Sequence, residues 1–158
     1  MDTTNDRTIR KATLSDLDII LHHRKQMFIE MGHADDETMS ASLRTSREFF
    51  AHALAEGRYQ GWLVEDGNSN VIAGGGIVIL IRPSHPHHPE LRRADILNVY
   101  TEPAFRRQGI GRQLMTTMIT WCRKEGFSWV TLHASNDGRA LYESLGFKQT
   151  TEMRLELK

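Results

Sequence analysis

The sequence contains little cysteine, no long apolar run and no net charge. Cys122 is the only cysteine, which excludes a disulfide within the chain and favours a reducing compartment, the cytoplasm. No stretch approaches a membrane span, and the polar residues 1–6 lack the apolar core of a signal peptide. Lysine plus arginine and aspartate plus glutamate number 20 each, so no global charge attracts nucleic acid or membranes. The 158 residues fit one domain, 1–158.

Glycines, cap residues and apolar periodicity divide the chain into helices and strands. Thr13 and Asp16 have the spacing of a capping box, which predicts a helix start. Gly74-Gly75-Gly76 interrupts a long strand and predicts a bulge or a close backbone approach rather than a phosphate loop, because no helix follows it. The predicted elements are a strand at 8–12, helices at 13–31 and 36–56, strands at 62–64, 71–81 and 94–102, a helix at 110–125, a strand at 129–134, a helix preceded by cap candidates at 135–137 and closed by Gly146, and a final strand with Met153, Leu155 and Leu157 in alternation.

Histidines occur in two groups, and neither has the pattern of a metal site. His22 and His23 are adjacent on the first helix, where neighbouring positions do not share a face, so a solvated or edge position is predicted. The loop 82–93 holds three histidines, but no spacing of carboxylates or cysteines completes a ligand set. We predict no metal and interpret this loop as a mobile segment near the mouth of a binding site.

The stretch from Ala94 to Gly126 organises the prediction. A strand ends before Pro103, a turn rich in arginine and glycine follows at 106–112, and a helix opens directly out of that turn. We name residues 106–112 the glycine turn. The first N–H groups of a helix lack partners inside it and carry partial positive charge, and glycines let an anion approach the backbone closely. With three arginines adding formal charge, the sequence predicts a pyrophosphate site.

The spacing within this turn identifies a family. A P-loop needs Gly-Lys-Ser/Thr, and a dinucleotide fingerprint needs a glycine where Leu114 stands, so neither fits. The pattern Arg106-x-x-Gly109-x-Gly111 resembles the signature of the GNAT superfamily of acyl-CoA-dependent N-acyltransferases. Residues 132–136 followed by 141–147, with a Tyr-x-x-x-Gly-Phe ending, resemble the last strand–helix unit of the same enzymes. The resemblance rests on both motifs from 94 to 147 and on element order before that.

The resemblance implies a mixed α/β fold, with a mostly antiparallel central sheet, one parallel splayed strand pair and helices on both faces. It implies acetyl-CoA as acyl donor and a small-molecule or peptide amine as acceptor, and it allows a homodimer. The strand before the turn would pair with the pantetheine arm, and the turn would bind the pyrophosphate. The implied cofactor-binding residues are Val99, Tyr100, Thr101, Arg106, Arg107, Gln108, Gly109, Ile110, Gly111, Arg112, Asn136 and Tyr142.

The predicted chemistry needs few side chains, because acetyl-CoA is already activated and positioning of the amine supplies much of the rate. The backbone N–H of Val99 or Tyr100 is the expected oxyanion donor. Tyr142 matches the family's tyrosine near the sulfur and is expected to act as general acid, since a phenol with a pKa near 10 is protonated at neutral pH. The general base stays open, with the candidates Glu30, Asp95, Glu102 and His133 and an ordered water relay.

Two other functions compete with catalysis. One is a non-catalytic acyl-CoA sensor on the same fold. The other is a nucleic-acid-binding domain whose phosphate-backbone patch would comprise Arg92, Arg93, Arg106, Arg107 and Arg112, although neutral total charge disfavours it. For an enzyme, the acidic residues 35–37 allow two interpretations: capping of the second helix, or attraction of a cationic amine.

Overall fold

The computed structural model describes residues 6–158, so the polar start at residues 1–5 lies outside the described part. In chain order the elements are β1 (Thr8–Lys11), α1 (Leu17–Glu30), α2 (Glu37–Ala55), β2 (Tyr59–Glu65), β3 (Val71–Ile81), β4 (Arg92–Thr101), α3 (Ile110–Lys124), β5 (Val130–Leu132) and α4 (Arg139–Ser144). The sheet has the strand order β1-β2-β3-β4-β5. Strands β1 to β4 pair antiparallel, whereas β4 and β5 pair parallel. The predicted mixed sheet is therefore confirmed.

Helices cover both faces of the sheet. On one face, α1 and α2 bury Ile20, Leu21, Phe50 and Ala53 together with Tyr59 from the sheet. On the other face, α3 packs an apolar stripe against the strands; its buried residues are Ile110, Leu114, Met115, Met118 and Cys122. Cys122 is 1% exposed, and burial raises the pKa of its thiol to about 11, so it is an inert core residue.

Local cap chemistry explains where the early helices begin. The Thr13 N–H donates to Asp16 at 2.7 Å, which confirms the capping box, although a short 3-10 turn precedes α1. Asp36 caps α2 by accepting the N–H groups of Thr38 and Met39 at 3.0 and 3.2 Å. Phe49 of α2 is 41% exposed. Within residues 6–158, no helix is long and apolar enough to cross a bilayer.

The C-terminal prediction is wrong in two respects. The last helix begins at Arg139, and its N-cap is Gly138 rather than a residue of 135–137, although the Ser135 hydroxyl accepts the Gly138 N–H at 3.1 Å. The alternating Met153, Leu155 and Leu157 form no strand and are 94, 81 and 86% exposed. Alternating residues form a β-ladder only beside a neighbouring strand, and this segment pairs with none of the described strands.

Candidate active site

A β-bulge shapes the middle of β4. Gly76 pairs with Leu97 and Gly74 pairs with Tyr100, so Gly75 faces both Asn98 and Val99. The extra residue thus lies in β4, opposite the glycines that predicted the bulge. Asn98 adopts a left-handed conformation with φ of 57°, which asparagine tolerates better than most residues. A bulged strand bends away from its regular path.

Beyond this bulge, β4 and β5 separate. Strand β5 pairs only with Ala94–Ile96, whereas β4 continues to Thr101. Within residues 6–158, the β5-facing edge of 97–101 therefore has no strand partner. Five residues of extended chain span roughly 16 Å. The predicted splayed pair is confirmed, and it exposes a row of backbone groups along a gap that an extended, thin ligand arm can enter.

The glycine turn lies at the end of this gap and leads directly into α3. Gly109 is the N-cap of α3 with φ of 78°, and Arg107 also has a positive φ of 62°. The first bond of the helix runs from the Gln113 N–H to the Gly109 carbonyl at 3.1 Å. No hydrogen bond from the main-chain N–H groups of 107–112 is found in the described part of the chain. A Cβ placed on Gly109 would meet no atom within 4 Å, so the turn faces open space.

The arginines of the turn have different roles. Arg106 donates to the Thr101 carbonyl at 2.8 Å and pairs with Glu30 at 2.5 Å, so its charge is shared with α1. Arg112 donates to the Ser144 hydroxyl at 2.6 Å and thereby joins α3 to α4. Arg107 forms no ion pair with a described residue. The turn therefore offers an anion its N–H groups and the charges of Arg107 and Arg112, neither of which pairs with a described carboxylate.

Helix α4 brings Tyr142 beside this turn. Leu141 lies 3.3 Å from the Cβ position of Gly111, and Tyr142 packs against the same core cluster as Val99 and α3. The Tyr142 ring makes an edge contact with Phe147, with 6.1 Å between centroids. Burial raises the pKa of the Tyr142 phenol above its ordinary value of 10, so the group is a proton donor at neutral pH. Asn136 lies in the exposed turn before α4.

The four candidate bases are in different surroundings. The Glu102 carboxylate faces His22 Nε2 at 2.9 Å and accepts from the Tyr100 hydroxyl at 3.4 Å. Glu30 is engaged by Arg106, and Asp95 accepts the Thr131 hydroxyl at 2.8 Å. His133 follows β5 and lies 3.7 Å from Glu152, where both side chains are largely exposed.

The predicted solvated or edge position of His23 is wrong. Its side chain is 2% exposed rather than solvated, and its ring lies 5.2 Å from that of Tyr100. Burial lowers the pKa of His23 to about 4, so the ring is neutral at physiological pH. A Cβ on Gly74 would lie 2.9 Å from His23 Nδ1, which gives this glycine a packing role. The His23 side chain therefore packs between α1 and the bulge. Its position depends on tertiary packing and leaves no local signal.

The loop 82–93, which holds three histidines, lies away from the gap between β4 and β5. Its histidines precede Arg92, at the opposite end of β4 from the glycine turn. The backbone N–H groups of His85 and His88 each donate a hydrogen bond to the carbonyl of the other residue. The centroids of the His88 and Trp129 rings lie 4.0 Å apart. Across residues 6–158, no group of three histidine, cysteine or acidic side chains could hold a metal ion.

Comparison with known proteins agrees with this geometry. Residues 57–149 match the family model described as an acetyltransferase (GNAT) domain. A GCN5-related N-acetyltransferase structure from Ralstonia eutropha superposes with a TM-score of 0.89 at 35% identity, covering 96% of this chain and 98% of that one. A predicted acetyltransferase from Clostridium acetobutylicum, solved with acetyl-CoA, superposes with a TM-score of 0.86 at 28% identity, covering 96% of each chain.

A curated relative is similar over a shorter stretch. The ribosomal protein bS18-alanine N-acetyltransferase of Escherichia coli is 40% identical over 67 residues. This match covers 40% of the present chain and 45% of the relative, so the chain spans less than half the length of that enzyme.

Proposed function

The chain belongs to the GNAT family of acetyltransferases, and on that premise we propose that it moves the acetyl group of acetyl-CoA directly to a primary amine while both substrates are bound. The observation that carries this proposal is the gap between β4 and β5 that ends at the glycine turn. The gap suits an extended arm, and the free N–H groups of 107–112 suit a pyrophosphate. Arg106 connects the two features, because it donates to the Thr101 carbonyl at the end of β4.

The proposed binding mode uses the backbone more than side chains. The edge of 99–101 pairs with the pantetheine arm of acetyl-CoA, as an added strand pairs with a sheet edge. The N–H groups of 107–112 hold the pyrophosphate, with Arg107 adding charge. Asn136, in the turn before α4, is the proposed contact on the opposite wall. Arg106 acts here by fixing the turn through Thr101 and Glu30.

The proposed chemistry has three parts. The amine loses its proton to a base that is one of Glu30, Asp95, Glu102 and His133, or to a water relay. A backbone N–H at Val99 or Tyr100, beside the bulge, stabilises the negative charge that develops on the thioester oxygen. Tyr142 gives its proton to the departing thiolate. The raised pKa of this phenol supports the last role, because the proton is present at neutral pH.

The acceptor is proposed only as a class: a small-molecule amine or a protein amine. The curated relative acts on an alanine of a ribosomal protein, which supports a protein amine. A cationic acceptor has weaker support from the acidic loop, since Asp35 pairs with Lys25 at 3.0 Å and Glu37 pairs with Arg44 at 2.8 Å. The third acid, Asp36, caps α2.

Turnover distinguishes an enzyme from an acyl-CoA sensor. We expect free CoA thiol to appear when acetyl-CoA and a panel of amines are added, and mass spectrometry to find the acetylated amine. Saturable binding of acetyl-CoA without turnover of any amine would support the sensor instead. The nucleic-acid alternative loses support from the geometry, because Arg92 and Arg93 lie at the far end of β4 from the glycine turn.

We further propose that the chain forms a homodimer in which residues 150–157 of one copy lie along β5 of its partner. Among described strands, β5 pairs only with β4, so its other edge is open, and the C-terminal segment exposes three alternating apolar side chains. This pairing would give the open edge of β5 a strand partner and would bury the apolar side chains of the C-terminal segment.

Light scattering tests the proposed dimer. Replacing Leu155 and Leu157 by glutamate should convert a dimer to a monomer, whereas Glu156→Gln, between the two leucines, should leave it dimeric. A wild-type protein that is monomeric at every concentration contradicts the proposal.

The domain and compartment are proposed on simpler grounds. Strand β1 and helices α1 and α2 precede the matched segment 57–149 yet pack onto the same sheet, which supports one domain over 1–158. The lone thiol of Cys122 supports the reducing cytoplasm. Neither proposal changes the chemistry of the site.

A further inference from the structure

An open cavity of about 550 Å³ lies between α2 and the sheet, on the face that carries α1. Helix α2 lines it with the hydroxyls of Ser42, Thr45 and Ser46 and with the half-exposed ring of Phe49, while Leu97 forms part of the strand side. Arg24 of α1 also reaches this cavity. The wall is therefore polar and aromatic and carries the guanidinium of Arg24 and the carboxylate of Asp95, a combination that small-ligand sites use.

Arg24 is held firmly in this wall. Its Nη1 donates to the Asn98 side-chain oxygen at 2.9 Å, and its guanidinium carbon lies 4.7 Å from the centroid of the Phe28 ring and 5.7 Å from that of Phe50. Burial lowers the pKa of Arg24 from its ordinary value, although arginine stays charged in proteins. The buried Nε has no hydrogen-bond partner in the described structure. The Arg24 side chain is thus held in one position, although one of its hydrogen-bond donors has no partner.

No anion balances this charge within the described residues. Six arginines have carboxylate partners within 4.0 Å among the described residues; they are Arg10, Arg44, Arg47, Arg58, Arg106 and Arg139. The arginines without such a partner include Arg107 and Arg112, which are exposed, whereas Arg24 is half-buried. Arg24 has none among residues 6–158, and Asp95, which lines the same cavity, instead accepts from Thr131. Removing a cation from water without a counter-charge is costly, so a half-buried, unpaired guanidinium favours an anionic ligand.

The position of Arg24 relates this cavity to the proposed chemistry. Its partner Asn98 is the left-handed residue of the bulge, and the next residue, Val99, is a proposed oxyanion donor. Consecutive Cα atoms lie about 3.8 Å apart, so the residue that holds Arg24 directly precedes a residue of the proposed site of acetyl transfer. The α2 hydroxyls and Phe49 would contact the rest of a molecule held by Arg24.

We infer that Arg24 binds an anionic group, a carboxylate or a phosphate, on the amine acceptor, so that the enzyme prefers acceptors that carry both an amine and an anion. This inference rests on the proposed function and deepens it. A guanidinium offers two parallel N–H donors to either anion, which also orients the acceptor. Arg24 is then a specificity-determining residue, distinct from the group that takes the amine proton.

Matched pairs of acceptors test the inference. Alanine and alaninamide differ in the carboxylate, and phosphoethanolamine and ethanolamine differ in the phosphate, so the two pairs also distinguish the two anions. The wild type should show a higher kcat/KM for the anionic member of at least one pair. In Arg24→Gln, kcat/KM for that member should fall roughly 10- to 100-fold, while its neutral counterpart changes little.

Two controls keep the result decisive. Arg47→Gln removes an exposed arginine of α2 that pairs with Asp18 at 2.5 Å, and it should leave both acceptors unaffected. Calorimetry with acetyl-CoA should give the same affinity for Arg24→Gln and wild type, which shows that the variant is folded.

Three outcomes would overturn the inference. Equal kcat/KM within both pairs, or a preference for alaninamide, overturns it while the proposed function stands. If acetyl-CoA binds but none of the four amines is turned over, the inference fails. Failure to bind acetyl-CoA overturns the proposed function itself.

Discussion

Acetyl-CoA affinity should fall about 100-fold or more when Gly109 is replaced by tryptophan. The indole would occupy the open space in front of the glycine turn, where no atom now lies within 4 Å of the Cβ position. It would displace the pyrophosphate from the N–H groups of 107–112. Loss of two charge-assisted hydrogen bonds, at about 1.5–3 kcal/mol each, accounts for this magnitude. Calorimetric titration measures it directly.

The same helix supplies a matched control at its other end. Gly126 follows α3 with φ of 83°, close to the 78° of Gly109, and its Cβ position is equally empty. Gly126→Trp therefore carries a similar backbone strain and a similar exposed ring, far from the turn. Its acetyl-CoA affinity should match that of the wild type. Gly111 is the poorer choice for this test because its Cβ would press against Leu141 at 3.3 Å. If the wild type, Gly109→Trp and Gly126→Trp bind acetyl-CoA with equal affinity, the glycine turn is not part of the binding site.

Replacing Tyr142 by phenylalanine should lower kcat by about 10²–10⁴, the usual effect of losing a general acid. Acetyl-CoA affinity and thermal stability should change little, because phenylalanine keeps the ring and its contact with Phe147. Phe147→Leu disturbs the same contact but keeps the phenol, so its kcat should stay near the wild-type value. A large loss of kcat in Phe147→Leu, with none in Tyr142→Phe, would reduce Tyr142 to a packing residue.

The pH dependence follows from the direction of the Tyr142 shift. A general acid works in its protonated form, and burial moves the pKa of this phenol upward from 10. Ionisation of Tyr142 should therefore cause no fall in wild-type kcat below about pH 10. A descending limb between pH 7 and 9 that is present in wild type and absent in Tyr142→Phe would contradict this assignment.

The parts of the site that the sequence predicted are those built from local chemistry. Gly109 marks the start of α3 because the left-handed N-cap needs a glycine, and the stripe from Ile110 to Cys122 follows from helical periodicity. Asp36 fixes the start of α2 by capping it. The splayed strand pair followed from family resemblance, since β5 retains only three paired residues and periodicity alone cannot reveal where pairing stops.

The parts that the sequence did not predict depend on distant neighbours. Asn98 reads as an ordinary strand residue, and only pairing with the glycines of β3 makes it the bulge. His23 and Arg24 are polar residues on a helix, yet α1 packs so closely on β4 that both are largely withdrawn from water. The C-terminal alternation illustrates the opposite error, because a strand pattern becomes a strand only where it pairs with a neighbour, and residues 153–157 pair with no described strand.

The most direct test of the account is an acetyl-CoA titration followed by the backbone amide resonances of isotope-labelled protein. The account predicts saturable shifts that are largest in two segments, 99–101 along the gap and 107–112 in the glycine turn. Shifts centred on Arg92 and Arg93 at the other end of β4, or none that saturate, would contradict it.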